Sequence, residues 1–329
     1  MEVTVSGEGG RPGVCAPGGA TPTVGTGPLE ARVRIPRPVD VVRSLRPLQR
    51  GPYDPCHRTD GTTVWRTSRM DSGPVTYRLT QDGPHGAWCL AWGPGAPELL
   101  DRLPALLGAD DDPSGFAPDH PALAEAHRRL PALRIPRTGR VLESLVPAIL
   151  EQRVHGVAAF ASWRRLVTRF GDPAPGPAPE GMRVPPAAQV WRVVPSWEFH
   201  RANVDPGRAR TVVRCAQLAD SLERLVRCTP AEARRKLRSV PGVGVWTAAE
   251  VAQRAFGDSD ALSVGDYHLA KVVGWSLLGR PLDDAGMIEH LEPLRPHRHR
   301  AVRLIVESGG YARVPKRGPR TPITDHRGR

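Results

Sequence analysis

The segment from Thr229 to Asp266 restricts the fold more than any other part of the chain. Thr229-Pro230-Ala231-Glu232 is a capping box with proline at the first helical position, so a helix starts there. It must stop at Pro241, which has no N–H to donate and crowds the preceding turn. Pro241-Gly242-Val243-Gly244 then forms a tight turn, and Val245, Ala248, Ala249, Ala252, Ala255 and Phe256 recur at helical spacing until Gly257 closes a second helix. The prediction is helix, hairpin, helix. Gly242 and Gly244 allow the backbone to approach another body closely with its N–H groups turned outward, and the second helix adds the partial positive charge of its N-terminus. A phosphate suits that arrangement, although a turn between helices also needs glycine for steric reasons alone.

The rest of the chain divides by pattern. A length of 329 residues allows two or three cores. Within 29–112, Asp40 opens a short helical run, TTVWRTSRM, PVTYRLT and GAWCLAW read as strands, and APELLDRLPALLG reads as a helix. Short strands without intervening helices pair antiparallel. Beyond residue 112 the strand signal ends, and 113–311 reads as helices over 121–130, 139–154, 157–170, 186–194, 206–226, 230–239, 246–256, 267–278 and 296–308, with 171–186 a surface loop. The expected fold is therefore α+β: a small N-terminal antiparallel sheet domain with helices on one face, followed by a larger all-α domain. Residues 1–28, rich in Gly, Pro and Thr, and 312–329, a basic Arg- and Pro-rich tail, are expected to be disordered.

Charge and composition narrow the function classes. A formal net charge of +12 favours a polyanionic partner, nucleic acid before membrane. Only Lys236, Lys271 and Lys316 are lysines in a chain full of Arg, Pro and Ala, so a coding bias toward GC-rich codons is the competing explanation. Cys15, Cys56, Cys89, Cys215 and Cys228 are scattered and form no C-x-x-C pair, which argues against a disulfide framework and against a zinc or iron–sulfur centre. His297 and His299 read as a surface cluster without acidic or cysteine partners, so no metal is expected. The absence of a ~20-residue apolar run and the acidic start MEVTVSGEGGRPG lead to the expectation of a cytoplasmic protein with no membrane partner.

LRSVPGVGVWTA, followed by GDSDALSVGDYHLAK, resembles the helix-hairpin-helix DNA glycosylases, most closely the DNA-3-methyladenine glycosylase II family. Upstream, LRIPRTGRVLESLVPAILEQRV resembles that family's helix leading into its DNA-wedge loop, and 29–110 looks like its N-terminal sheet domain. The resemblance covers about 29–310 and implies a helix-hairpin-helix glycosylase domain acting on double-stranded DNA as a monomer. It makes Asp266 the catalytic carboxylate, a role in which a carboxylate stabilises the cationic sugar and orients water. The same residue sits immediately before YHLAKVVGWSLLG, where an aspartate is an ordinary helix cap.

By the same resemblance Trp246 and Tyr267 line the base pocket, and Glu250 stands where some relatives place an aromatic residue. Gly242, Val243, Gly244, Val245 and Thr247 would hold the DNA backbone, with Gln152 and Arg153 at the wedge. Arg153 replaces an apolar residue there and fits either a wedge or a phosphate contact. The stacking tryptophan of the last helix is missing from AVRLIVESGG, where Ile305 and Val306 are the nearest counterparts. Trp246 occupies the position of the lyase lysine, which implies a monofunctional enzyme excising alkylated purines of the 3-methyladenine and 7-methylguanine type with water as nucleophile. The family holds a monovalent cation on hairpin carbonyls, and no other cofactor is expected. A glycosylase for oxidised or deaminated bases and a non-catalytic helix-hairpin-helix DNA-binding protein are the alternatives.

Overall fold

The computed structural model describes residues 2–6, 27–315 and 325. A six-stranded sheet is built from β1 (Glu2–Ser6), β2 (Leu29–Arg34), β3 (His57–Asp60), β4 (Thr63–Met70), β5 (Gly73–Gln81) and β6 (Gly86–Trp92), in the order β1-β2-β6-β5-β4-β3. All neighbouring strands are antiparallel. Alternation places Ala31, Val33, Val64, Val75, Tyr77, Leu79, Cys89 and Ala91 in one core. Two helices share that core, α1 (Val41–Leu45) and α2 (Ala96–Leu106), the latter through Leu99, Leu100 and Leu103. Asp40 caps α1 by accepting from Arg43 N–H at 2.8 Å.

Strand β1 corrects the expectation that 1–28 is disordered. Glu2–Ser6 pairs with Glu30–Arg34, and its sequence EVTVS alternates with period two, a signal masked by the glycine- and proline-rich stretch that follows. The remainder of that expectation, and the tail from 316 apart from residue 325, lie outside the described residues.

The helical part comprises α3 (Pro121–Arg129), α4 (Val141–Leu150), α5 (Gly156–Phe170), α6 (Ala188–Val193), α7 (Ser196–Arg201), α8 (Pro206–Gln217), α9 (Ala219–Glu223), α10 (Pro230–Leu237), α11 (Val245–Val251), α12 (Leu269–Leu278), α13 (Asp284–Leu291), α14 (Arg298–Glu307) and α15 (Gly310–Arg313). It contains two cores. One gathers around α4, which is apolar and buried on nearly every face, with Trp163, Trp191 and Phe199 against it. The other joins Val272 and Val273 of α12, Met287 and Leu291 of α13, and Ala301 and Leu304 of α14. The single helix expected over 206–226 is divided at Leu218, and α13 leaves little trace in the sequence pattern because Met287 and Leu291 are its only buried residues among polar neighbours.

His297 and His299 are not on the surface: they are 4% and 7% exposed. They lie at the start of α14, whose arginines are buried beside carboxylates, Arg298 on Asp260, Arg300 on Asp111 and Arg303 on Glu307. A polar sequence string therefore packs inside because each charge meets a partner from elsewhere in the fold or one turn along the helix. Among the described residues no cluster of His, Cys, Asp and Glu could hold a metal ion, and no helix is long and apolar enough to cross a membrane.

The two domains meet through polar contacts. Glu143 of α4 accepts from Arg66 and from the Ser68 hydroxyl, both at 2.6 Å, while Asp54 accepts from the Trp163 indole at 2.9 Å. Arg50 pairs with Glu151 at 2.8 Å just after α4, and Arg254 donates to the Pro47 carbonyl at 2.9 Å.

Candidate active site

The hairpin forms as its residues require. The capping box of α10 is complete, Pro241 follows its last turn, and Val243 N–H closes the hairpin on Val240 O at 2.9 Å. Gly242 has φ +94°, and a Cβ there would lie 2.8 Å from Thr211 Cγ2 and closer still to the Thr211 hydroxyl, so glycine is needed on two counts. Gly244 differs: it caps α11 with φ −89°, and a Cβ on it would meet nothing within 4 Å. No internal packing explains this second glycine, which leaves the outer side of the hairpin bare of side chain where α11 begins.

Gln152 fixes the hairpin from the other side, its amide donating to Gly242 O at 2.9 Å and to Thr247 Oγ1 at 2.8 Å. Both N–H groups of its amide are therefore used within the protein. Thr247 and Val243 are buried as well, so of the expected DNA-contacting residues only Gly242, Gly244 and the half-exposed Val245 present surface at the hairpin, Val243 and Thr247 having their side chains turned inward. Arg214 donates to Pro241 O at 3.2 Å, so the carbonyls of Pro241 and Gly242 are already occupied by side-chain donors. Arg153, next to Gln152, is exposed and has φ +54°, a left-handed conformation uncommon for a residue other than glycine and one that concentrates at functional positions.

Asp266 lies at the approach to α12, half-buried, directly after Gly265 at φ +89°. Its two oxygens have different tasks. Oδ1 accepts from the N–H groups of His268 and Leu269 at 2.8 and 2.9 Å, which is a helix cap. Oδ2 accepts from the Trp246 indole N–H at 3.2 Å. The chain thus brings Trp246, two residues into the second hairpin helix, against the carboxylate from the far loop. Tyr267 follows Asp266 but is 74% exposed, with Lys271 Nζ 4.5 Å from its ring centre and His268 edge-on to it. It forms a rim and not an enclosed wall.

Glu250 lies one turn beyond Trp246 on α11, with its carboxylate fully engaged, Arg254 donating to Oε2 at 2.8 Å and the Ser263 hydroxyl to Oε1 at 2.5 Å. Burial pushes its pKa up, but Arg254, the Ser263 hydrogen bond and Arg50 outweigh this and hold the group below the ordinary glutamate range. After Val251 the helix continues as one turn of π-helix, Ala252–Phe256, closed by Gly257 in the left-handed conformation. This turn carries Arg254 and Gln253, whose amide holds Ala261 O and Ser263 Oγ at 2.9 Å each and so fixes the segment that leads to Asp266.

Tyr311 escapes sequence reasoning. Ile305, the expected counterpart of an aromatic, is buried in the core, whereas the turn after α14 carries a tyrosine. Gly309 has φ +84°, and a Cβ on Gly310 would lie 2.7 Å from Ile305 Cγ2, so the two glycines bring α15 tightly onto its neighbours and set Tyr311 down beside the site. Its ring is half exposed while its hydroxyl end is crowded. That crowding, and then the charges of Asp266 and Glu250, push its phenol up to about 12. The Gly-Gly-Tyr string is the one signal the sequence offers.

A six-stranded sheet docked on a helical domain, with a helix-hairpin-helix facing an aspartate at a helix start, is a fold the chain shares with solved DNA glycosylases. Over 294 residues it is 31% identical to the "Probable bifunctional transcriptional activator/DNA repair enzyme AlkA" of Mycobacterium tuberculosis, a match covering 85% of this chain and 56% of that protein. The chain thus spans about half the length of the curated relatives it matches. Among solved structures, a 3-methyladenine DNA-glycosylase from Archaeoglobus fulgidus superposes with a TM-score of 0.70 at 18% identity, covering 84% of this chain and 97% of its own. An 8-oxoguanine glycosylase/lyase from Clostridium acetobutylicum gives 0.61 at 14% identity, covering 84% and 95%. These two likenesses show the fold. No family model matches the chain.

Proposed function

We propose that the protein is a monofunctional DNA glycosylase that excises alkylated purines from duplex DNA. The observation that carries this reading is Asp266, one oxygen of which caps α12 while the other faces the hairpin side on the Trp246 indole. In this scheme the duplex rests on the bare glycine edge of the hairpin, the damaged base is flipped out at a cost of a few kcal/mol, and Arg153 enters the space it leaves. The C1′–N bond breaks with its electron pair moving to the base. A base methylated at a ring nitrogen departs neutral from a cationic ground state, so leaving-group protonation is not needed. The Asp266 carboxylate stabilises the positive sugar and takes the proton of the water that adds to C1′.

Three features support this substrate class. Trp246 stands where a lyase would need a lysine amine, so no Schiff base forms at that position. The ring faces of Trp246, Tyr267 and Tyr311 offer electron-rich surface to a cationic base. Glu250 adds a second carboxylate held ionised nearby. The 31%-identical relative is named a DNA repair enzyme, which agrees with the reading.

The test is base release. Duplexes carrying 3-methyladenine, 7-methylguanine, hypoxanthine or 8-oxoguanine are incubated with the protein and the freed bases chromatographed. Release of the two methylated purines ahead of the others is expected; preferential release of 8-oxoguanine with strand cleavage would overturn the assignment.

A further inference from the structure

Between α10, α11, α13 and the segment that leads to Asp266 lies a cavity of about 560 Å³. Five arginines line it: Arg234, Arg235, Arg238, Arg295 and Arg298. Its opposite wall is apolar, formed by Ala248, Leu262 and Ile288 among others. Carboxylates neutralise part of this charge. Arg298 and Arg295 are paired with Asp260 at 2.7 and 3.1 Å and with Glu292 at 3.1 and 2.6 Å, and Arg234 is paired with Asp258, so three carboxylates offset three of the five arginines. Arg235 and Arg238 are exposed and have no side-chain hydrogen-bond or ion-pair partner among the described residues. The arginines also crowd one another. Burial, opposed by Asp260 and reinforced by Arg298 and Arg295, lowers the Arg234 pKa, as expected where positive charge is in excess.

We propose that this cavity is a phosphate-binding site, supplied either by the backbone of the strand that lies across the hairpin or by a free nucleotide. Two unpaired guanidinium forks present donors matched to phosphate oxygens. The location suits the first source, because Arg238 caps the C-terminus of α10 at the entry to the hairpin and Val245, the first residue of α11, is part of the lining. The apolar wall suits the second, because it can take a base or sugar while the arginines hold the phosphate. The DNA arm rests on the function proposed above; the anion arm does not.

The test combines two measurements on Arg235→Ala/Arg238→Ala and on the control Arg32→Ala/Arg129→Ala, which removes the same charge from exposed positions remote from the cavity. The first is titration calorimetry with inorganic phosphate and with dAMP up to millimolar concentrations without DNA. The second is the salt dependence of duplex affinity, whose slope becomes shallower by about 0.9 for each DNA phosphate that the protein no longer neutralises. Abolished phosphate binding in the cavity pair alone, with a slope shallower by about 1.8, identifies the strand as the source. The same abolition with an unchanged slope, and dAMP binding more tightly than phosphate, identifies a free nucleotide. Phosphate binding that is undetectable in the wild type, or equal in wild type and cavity pair, overturns the site. A wild type that binds phosphate through these arginines but releases no alkylated base would sink the glycosylase reading and leave the site standing.

Discussion

The indole N–H of Trp246 and the carboxylate of Asp266 meet at 3.2 Å, and this contact joins the hairpin to the catalytic candidate. It leaves the second carboxylate oxygen to the N–H groups of His268 and Leu269, so that one side chain ties the hairpin to the start of α12.

Asp266→Asn keeps an acceptor for the two N–H groups and removes the negative charge and the base. Melting temperature and lesion binding are expected to stay near wild type while single-turnover excision falls by orders of magnitude. Asp266→Ala should lose about 1 kcal/mol of stability in addition. Wild-type excision by the asparagine variant would reduce Asp266 to a cap and favour the non-catalytic DNA-binding alternative.

With Trp246 at the lyase position the product is expected to be an intact abasic site, cleaved only by subsequent alkali. Borohydride added during turnover should trap no protein–DNA adduct, and a robust adduct on a gel would contradict the monofunctional assignment.

The two hairpin glycines should separate cleanly. Gly242→Ala forces a Cβ against Thr211 at positive φ and should cost several kcal/mol, read as a lowered melting temperature. Gly244→Ala meets nothing inside the protein and should leave stability within about 0.5 kcal/mol while weakening duplex binding. Equal affinity in Gly244→Ala and wild type would show that no backbone comes close to that edge.

Arg153→Gly relieves a left-handed conformation and should stabilise the fold by up to about 1 kcal/mol in thermal melts, while base flipping, followed by a fluorescent base analogue, becomes slower. A destabilised variant would mean that the Arg153 side chain holds the loop together.

His57 is buried in β3, and burial, then the Arg66 charge, lower its pKa to about 3. The unfolded chain binds a proton near pH 6.5 that the folded one refuses, so stability is full above that pH. Below it, each pH unit should remove about 1.4 kcal/mol until pH 3 is reached. Melting temperatures measured against pH should fall over this window, and less steeply in His57→Gln; parallel profiles would assign the acid sensitivity elsewhere.

Much of this architecture can be read in the chain because its signals are local. The capping box, Pro241 and Gly242 dictate the hairpin, and alternation marks the strands from Thr63 onward. What stays hidden depends on distant partners. His297 and His299 look exposed until Asp111, Asp260 and Glu307 bring the surrounding arginines indoors. The hydrogen bond that joins Gln152 to Thr247 across 95 positions of sequence is likewise invisible in the pattern of residues. Tyr311 cannot be placed by counting along α14, because two glycines turn the chain before it arrives.

Arg254 reaches in two directions, to the Pro47 carbonyl of the sheet domain and to the Glu250 carboxylate beside the site. The sheet domain is thereby tied to the helix that carries Trp246 and Glu250, although none of its residues is bonded to Asp266. Variants found by loss of repair should therefore map in part to the stretch from Arg46 to Arg50, where a substitution far from any DNA contact would mimic an active-site lesion and be misread as a folding defect.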